Sequence, residues 1–188
     1  KILKLNYGLK IDPKNINLLM GSNVHIVIYP INKKNELNLV CVLREKKLDP
    51  DNINLIIENK ILSQNQDLKD LFQGDLKSWD LYSTRRTLPS SNKKVFYLGD
   101  AFYSFLPTMA QGGSQAIEGA FELFNLFKEN NNDMSSIYFR TRSERTKLIK
   151  KRSDLNFFAF HISNPIIKAI RNAILKRLVK RKDFISSY

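Results

Sequence analysis

Apolar and polar positions divide the chain into three textures. From Val24 to Arg44, the runs VHIVIYP and LNLVCVLR are β-branched and apolar, and the polar INKKNE between them predicts a hairpin. From Asp49 to Phe72 the pattern is polar and weak, with one short helix expected around NQDLKDLF. KSWDLYS then sets Trp79, Leu81 and Ser83 against Asp80 and Tyr82, an alternation that predicts a third strand. TLPSSNKK is a turn-rich connector, and a change of section falls near Pro89. VFYLGD is a short continuous apolar run of the kind found in strands buried on both faces.

Helical periodicity dominates from there on. After Gly113, residues Ile117, Ala120, Phe121, Phe124 and Phe127 share one face, while Glu118, Glu122, Asn125 and Glu129 line the other. Ser114 or Gly113 stands where an N-cap belongs. A second helix is expected from Met134 to Lys151 and a third from Pro165 to Lys182, with Ile167, Ile170, Ile174 and Leu178 opposed to Lys168, Asn172, Lys176 and Lys180. There is no internal repeat.

Composition narrows the function classes. The 188 residues are 43% apolar, enough for a real core. No run has the length of a membrane span, and KILKLNYGLK lacks a signal peptide's apolar stretch, so a cytoplasmic location is expected. Cys41 is the only cysteine and His25 and His161 the only histidines, which excludes an internal disulfide and Cys/His metal clusters. The formal net charge is +13, but Arg140 to Lys182 holds 14 Lys and Arg against Glu144 and Asp154 alone. A nucleic-acid surface would not be so partitioned, so no nucleic-acid partner is expected, and any membrane contact rests on the basic end of the chain. Compositional drift toward Lys and Asn accounts for the same excess equally well. The first residue is Lys rather than Met, and the chain reads as a segment of something longer.

The stretch from Gly99 to Ala120, GDAFYSFLPTMAQGGSQAIEGA, carries the most chemistry. Strand-to-helix connections usually take only a few residues, yet about a dozen separate Asp100 from Gly113. A carboxylate at a strand end accepts hydrogen bonds from hydroxyls, and backbone N–H groups at a helix start attract negative charge. Gly112 and Gly113 would let a flat group approach the backbone. A ligand with a polyol and an electron-rich end fits both features. The residues alone leave that reading level with a glycine-rich cap over a plain loop.

The segment resembles the second flavin-binding motif of the FAD-dependent aromatic monooxygenases of the para-hydroxybenzoate and salicylate hydroxylase type, whose pattern is roughly GDAAHxxxPxxxQGxxxAxEDA. Gly99, Asp100, Ala101, Pro107, Gln111, Gly112, Ala116, Glu118 and Ala120 match it. GSNVHIVIYP resembles that family's HxVxYP strand, WDLYSTRR its WxLxdR segment, and RTRSER and NFFAFH its carboxy-terminal YxxxRxxR and FH features. The likeness runs from about Gly21 to about Arg171. Tyr103 stands where the family has His, and Gly119 where it has Asp. The seven glycines contain no GxGxxG, the turn that opens the family's fold over a Rossmann unit and binds the pyrophosphate.

The resemblance implies an α+β fragment of a flavoprotein, its carboxy-terminal half. An antiparallel substrate-domain sheet over residues 1–88 would be followed by a strand, loop and helix of a Rossmann-like FAD-binding domain over 89–133, and by basic helices over 134–188. It implies FAD as cofactor and NADH or NADPH as reductant. O2 and a small salicylate-like or phenolic ring would be the substrates, with the cofactor rather than any side chain as direct catalyst. Asp100, Pro107, Gln111, Gly112, Gly113 and Ser114 would then meet the flavin, and His25, Val27, Tyr29 and Pro107 the substrate. On the residues alone, His25 is a hydrogen-bonded sheet residue, Tyr29 a packing aromatic, Cys41 core and His161 a packed helical residue. Arg85 and Arg86 could bind a substrate carboxylate but read as solvated loop residues. Without the missing amino-terminal half, the segment is expected to be inactive alone. Two other readings stand beside this one. The first is a quinone-precursor hydroxylase or epoxidase of the same family, held at a membrane through Ile166–Lys182, and the second a non-catalytic basic binding module.

Overall fold

The computed structural model describes residues 11–31, 36–45, 52–73, 76–129 and 132–178. The fold is an α+β mix, as expected, and divides into two compact units. Residues 1–78 with 159–188 form one, and residues 79–158 the other.

In the first unit, β1 (Asn17–Met20), β2 (Val24–Ile31) and β3 (Glu36–Leu43) form an antiparallel sheet in that order. The expected hairpin is present, with Val24 opposite Leu43 and Ile31 opposite Glu36; most of its polar loop lies outside the described residues. β1 was not anticipated, because NLLM is four residues long and does not alternate. It pairs Met20 with His25 and Asn17 with Ile28. Asn23, at φ 59°, makes the tight turn between the two strands, a backbone region asparagine tolerates better than most residues.

Alternation divides β2 between two faces. Val24, Ile26 and Ile28 are buried against a helical layer that supplies Ile57, Ile61, Leu62, Leu68 and Leu71. Leu19, Leu39, Cys41 and Leu43 extend this core from the neighbouring strands, so Cys41 is core as its parity implied, and burial pushes its thiol up to about 12. His25, Val27 and Tyr29 point to the opposite face.

The helical layer occupies a stretch the pattern left unassigned. α1 (Ile53–Ile57) runs directly into a wider π-type turn at Glu58–Leu62, and a 3-10 turn follows at Gln66–Phe72, where the short helix was expected. Asn65 caps that turn by accepting a 2.9 Å bond from the Asp67 N–H. α4 (Pro165–Leu178) belongs to the same unit. Asn164 caps it, its side-chain oxygen accepting from the N–H groups of Ile166 and Ile167 at 3.0 and 3.2 Å.

The second unit holds α2 (Gly112–Lys128) and all but the last two residues of α3 (Met134–Phe160), the latter nine residues longer than its periodicity indicated. Neither strand anticipated here forms a ladder. Residues 77–83 of KSWDLYS are unpaired, with Trp79 75% and Tyr82 77% exposed. The apolar run at 95–98 is likewise unpaired, and Val95, Tyr97 and Leu98 are exposed rather than buried on two faces. Alternation and apolarity are local properties, whereas a strand needs a partner with free N–H and C=O groups.

α2 packs by its polar side. Its Ile117, Phe121, Phe124 and Phe127 face solvent within this unit, all more than half exposed, while Gln115 and Gly119 are buried. The polar face turns inward because it meets Arg142 of α3. A Cβ at Gly119 would lie 3.2 Å from Tyr138 Oη and 3.3 Å from Arg142 Nε, so the missing side chain is what admits α3 this closely. Leu123 and Leu126, with Phe96, Phe102, Tyr103, Tyr138 and Phe139, make a small aromatic core beside it.

Ile61 sits 1% exposed at the centre of the first unit's core. Ile61→Ala is expected to cost about 2–5 kcal/mol through lost transfer energy and the cavity left behind. Urea unfolding followed by circular dichroism checks this; a loss below about 1 kcal/mol would mean that the helical layer does not hold the sheet.

Candidate functional site

The residues singled out by motif are built into the second unit by three contacts. Gly99 has φ +55°, a left-handed conformation natural to glycine, and a Cβ there would lie 3.2 Å from that of Ala116. The turn Gly99–Ala101 therefore abuts the first turns of α2, bringing Asp100 to the same end of the helix as Gly112 and Gly113. Asp100 is exposed.

The connecting loop is pinned at its middle. Thr84 N–H donates to Ser104 O at 3.0 Å and the Ser104 N–H donates back to Thr84 Oγ1 at 2.9 Å. Tyr103, where the resembled pattern has His, is 5% exposed and donates to Thr84 O at 2.6 Å. Burial pushes its phenol pKa up, so the ring acts as a neutral donor. Ser153 of α3 donates to Leu106 O at 3.0 Å, and Thr108 Oγ1 donates to Ser153 O at 2.9 Å. Pro107, between these anchors, is exposed at the loop's tip.

The helix start departs from the expected cap. Gln111, not Ser114 or Gly113, is the N-cap residue, and its side chain makes no capping bond. The Gln115 N–H is the first to find a helical carbonyl, Gln111 O at 2.9 Å. The N–H groups of Gly112, Gly113 and Ser114 consequently point outward from the positive end of the helix. A Cβ on Gly112 or Gly113 would meet nothing within 4 Å, so the space over these two residues is open.

An ion network behind this start was not recognised as such in the sequence. Arg142, 2% exposed, donates Nη1 to Glu118 Oε1 at 3.0 Å and Glu122 Oε1 at 3.3 Å. Its Nη2 donates to Gln115 O at 3.1 Å and Gln115 Oε1 at 2.9 Å. Arg145 donates Nε to Glu118 Oε1 at 2.8 Å. Burial pushes the Glu118 carboxyl up, but the bonds from Arg145, Gln115 and Arg142 outweigh it and hold the pKa below the usual value. The readable signal was the pairing of AxE in α2 with RxxR in α3: the two motifs are halves of one contact.

In the first unit, His25 is 1% exposed, covered edge-on by Phe160 and His161 at ring distances of 5.3 and 4.8 Å. His25 Nδ1 lies 3.2 Å from His161 Nε2, which is 3.3 Å from Val42 O. His25 Nε2 is buried and has no hydrogen-bond partner among the described residues. Burial, then repulsion from His161, lowers its pKa from 6.5 to about 4. Val27 and Tyr29 are partly open on the same face, beside half-exposed Val40 and Leu18, and Tyr29 Oη accepts from Asn38 Nδ2 at 2.7 Å. Arg85 and Arg86 are exposed. No group of metal-ligating residues occurs among the described residues, and no described helix is long and apolar enough to cross a membrane.

No family model matches the chain. It is 27% identical over 176 residues to the 3-hydroxybenzoate 6-hydroxylase of Polaromonas naphthalenivorans strain CJ2, covering 85% of this chain and 42% of that protein. It is also 27% identical over 143 residues to 3-hydroxybenzoate 6-hydroxylase 2 of Aquipseudomonas alcaligenes, covering 71% of this chain and 44% of that one. The chain is similar to aromatic-ring hydroxylases. It spans less than half the length of either relative. A match over 85% of 188 residues necessarily includes the stretch from Gly99 to Ala120.

Two outcomes test this geometry. Arg142→Met removes the ion partner of Glu122, while Glu118 keeps Arg145, and should cost about 2–4 kcal/mol, less than a fully buried pair would because both carboxylates are partly solvated; the loss of urea resistance measures it. The His25 pKa lies lower folded than unfolded, so its contribution is fully present above pH 6.5 and is lost as pH falls from 6.5 toward 4. His25→Phe should flatten that part of the stability profile, and an unchanged slope between pH 6.5 and 4.5 would show that the ring is not buried neutral.

Proposed function

We propose that this chain forms part of a flavin-dependent hydroxylase of hydroxybenzoate-class aromatic acids, with NADH or NADPH as reductant and O2 as oxidant. Asp100, Gly112, Gly113 and Ser114 would meet the ribityl and ring portion of FAD, and Val27 and Tyr29 the substrate. The observation that carries the reading is the similarity to two 3-hydroxybenzoate 6-hydroxylases over a span that includes the Asp100 turn and the α2 start.

The residues present fit the cofactor. Asp100 offers an exposed carboxylate to hydroxyl donors, and Gly112, Gly113 and Ser114 offer outward N–H groups beneath open space. When bound, the flavin supplies the redox chemistry, accepting a hydride from the nicotinamide and, with O2, delivering oxygen to the ring. Asp100 would accept from ribityl hydroxyls. The three N–H groups would donate to the pyrimidine edge of the ring system, favouring the negative charge it gains on reduction. Pro107 and Gln111 would shape the edge of the site, and the Arg142 network would hold the donors in place without reorganisation.

Tyr29 and Val27 are proposed as ring contacts, with His25 behind them as a sealed, neutral support. A tyrosine hydroxyl that already accepts from Asn38 is left free to donate, which suits a phenolic or carboxylate oxygen.

The test is Asp100→Ala in the full-length polypeptide. Losing a charge-assisted partner should weaken FAD retention by about 1.5–3 kcal/mol, roughly ten- to a hundredfold, read from the flavin-to-protein absorbance ratio after dialysis. Undiminished retention removes Asp100 from the site, and a wild-type protein without flavin absorbance or hydroxybenzoate-stimulated NAD(P)H oxidation overturns the whole reading.

A further inference from the structure

Helix α4 is fastened to the first unit by one flank only. Arg171 is 7% exposed and donates Nη1 to Ala159 O at 2.8 Å, and it lies beside the partly buried Lys168, Leu175 and Leu178 on one side of the helix. Burial lowers the Arg171 pKa, and its side chain is committed to the protein. The rest of the helix surface carries Ile166, Ile167, Ile170 and Ile174, which are 71%, 45%, 55% and 52% exposed.

At 100° per residue these four isoleucines span a stripe about 100° wide. Arg177 projects within that stripe and Lys176 lies on the polar side of the helix, both exposed. The helix contains no Asp or Glu, and Lys180, Arg181 and Lys182 follow it in the sequence before the first acid, Asp183. A buried core partner would not be matched by an arginine set among its isoleucines, and a solvated face would not carry four of them. A helix of 14 residues is about 21 Å long, too short to cross a bilayer but long enough to lie in its interface.

We infer that α4 docks this protein on an anionic lipid bilayer surface, its isoleucines entering the headgroup–acyl boundary and Lys176 and Arg177 meeting the acidic headgroups. Arg171 orients the stripe outward. The inference is independent of the flavin reading, since no residue of α4 takes part in it.

Purified protein is co-sedimented with phosphatidylcholine vesicles that contain or lack phosphatidylserine. Binding should be at least about tenfold stronger to the anionic vesicles and should weaken as salt rises from about 0.05 to 0.5 M. Ile170→Ser/Ile174→Ser and Lys176→Glu/Arg177→Glu should each lower that binding about tenfold, with circular dichroism unchanged because all four side chains are exposed. No sedimentation, equal sedimentation with neutral vesicles, or isoleucine variants that bind like the wild type would each overturn the proposal. So would a concentration-dependent dimer that Ile170→Ser/Ile174→Ser dissolves in the absence of vesicle binding, since the stripe would then belong to a second copy.

Discussion

The second unit depends on where one guanidinium is placed. Arg142 occupies the interior between two helices, and a charge taken that far from water must be met by partners on all sides. Glu118, Glu122 and the backbone and side chain of Gln115 do so, and every one of them lies on the first three turns of α2. The side of α2 that faces α3 is therefore decided by charge, not by apolar area. The aromatic cluster of Phe96, Phe102 and Tyr138 then fills the space left beside the network. Anything asked of the helix start, from donating N–H groups to keeping the Asp100 turn against Ala116, inherits its precision from this anchor.

The first unit is organised differently, by the pleat. One parity of β2 builds an apolar core on α1 and the turns that follow it, while the other carries the polar chemistry. His25 shows how far the two differ. It sits one residue from Ile26, which is 2% exposed, yet its own cover is a histidine and a phenylalanine at the chain's far end rather than aliphatic side chains.

Strong local patterns were legible in the sequence and contacts between distant segments were not. The hairpin of β2 and β3 follows from β-branched runs around a polar loop, and Asp100 with Gly112 and Gly113 follows from residue chemistry in a single stretch. KSWDLYS carries a strand's alternation without a strand's partner, and nothing in Trp79 or Tyr82 reveals that lack. α1 escaped notice because INLIIENKIL mixes apolar and polar residues without a clean helical stripe. The inward face of α2 is not legible in the sequence for a stronger reason. Apolar periodicity finds the axis of a helix but ranks its faces by hydropathy, and a buried arginine 20 or more residues away inverts the ranking. Its partners Glu118 and Glu122 read as solvated charges until Arg142 is seen opposite them. Of the candidate substrate contacts, Val27 and Tyr29 lie where parity put them, but the covering of His25 by His161 joins residues 136 positions apart.

Gly119 gives this arrangement its tolerance as well as its shape. With Tyr138 Oη and Arg142 Nε both within 3.3 Å of where its Cβ would stand, the aspartate of the resembled pattern cannot be restored at 119 while those two side chains keep their places. The three positions are sterically coupled: a side chain at 119 requires Tyr138 and Arg142 to shift with it. A larger residue at 119 would therefore register at two places at once, as a displaced tyrosine hydroxyl and as a loosened guanidinium hold on Glu118 and Glu122.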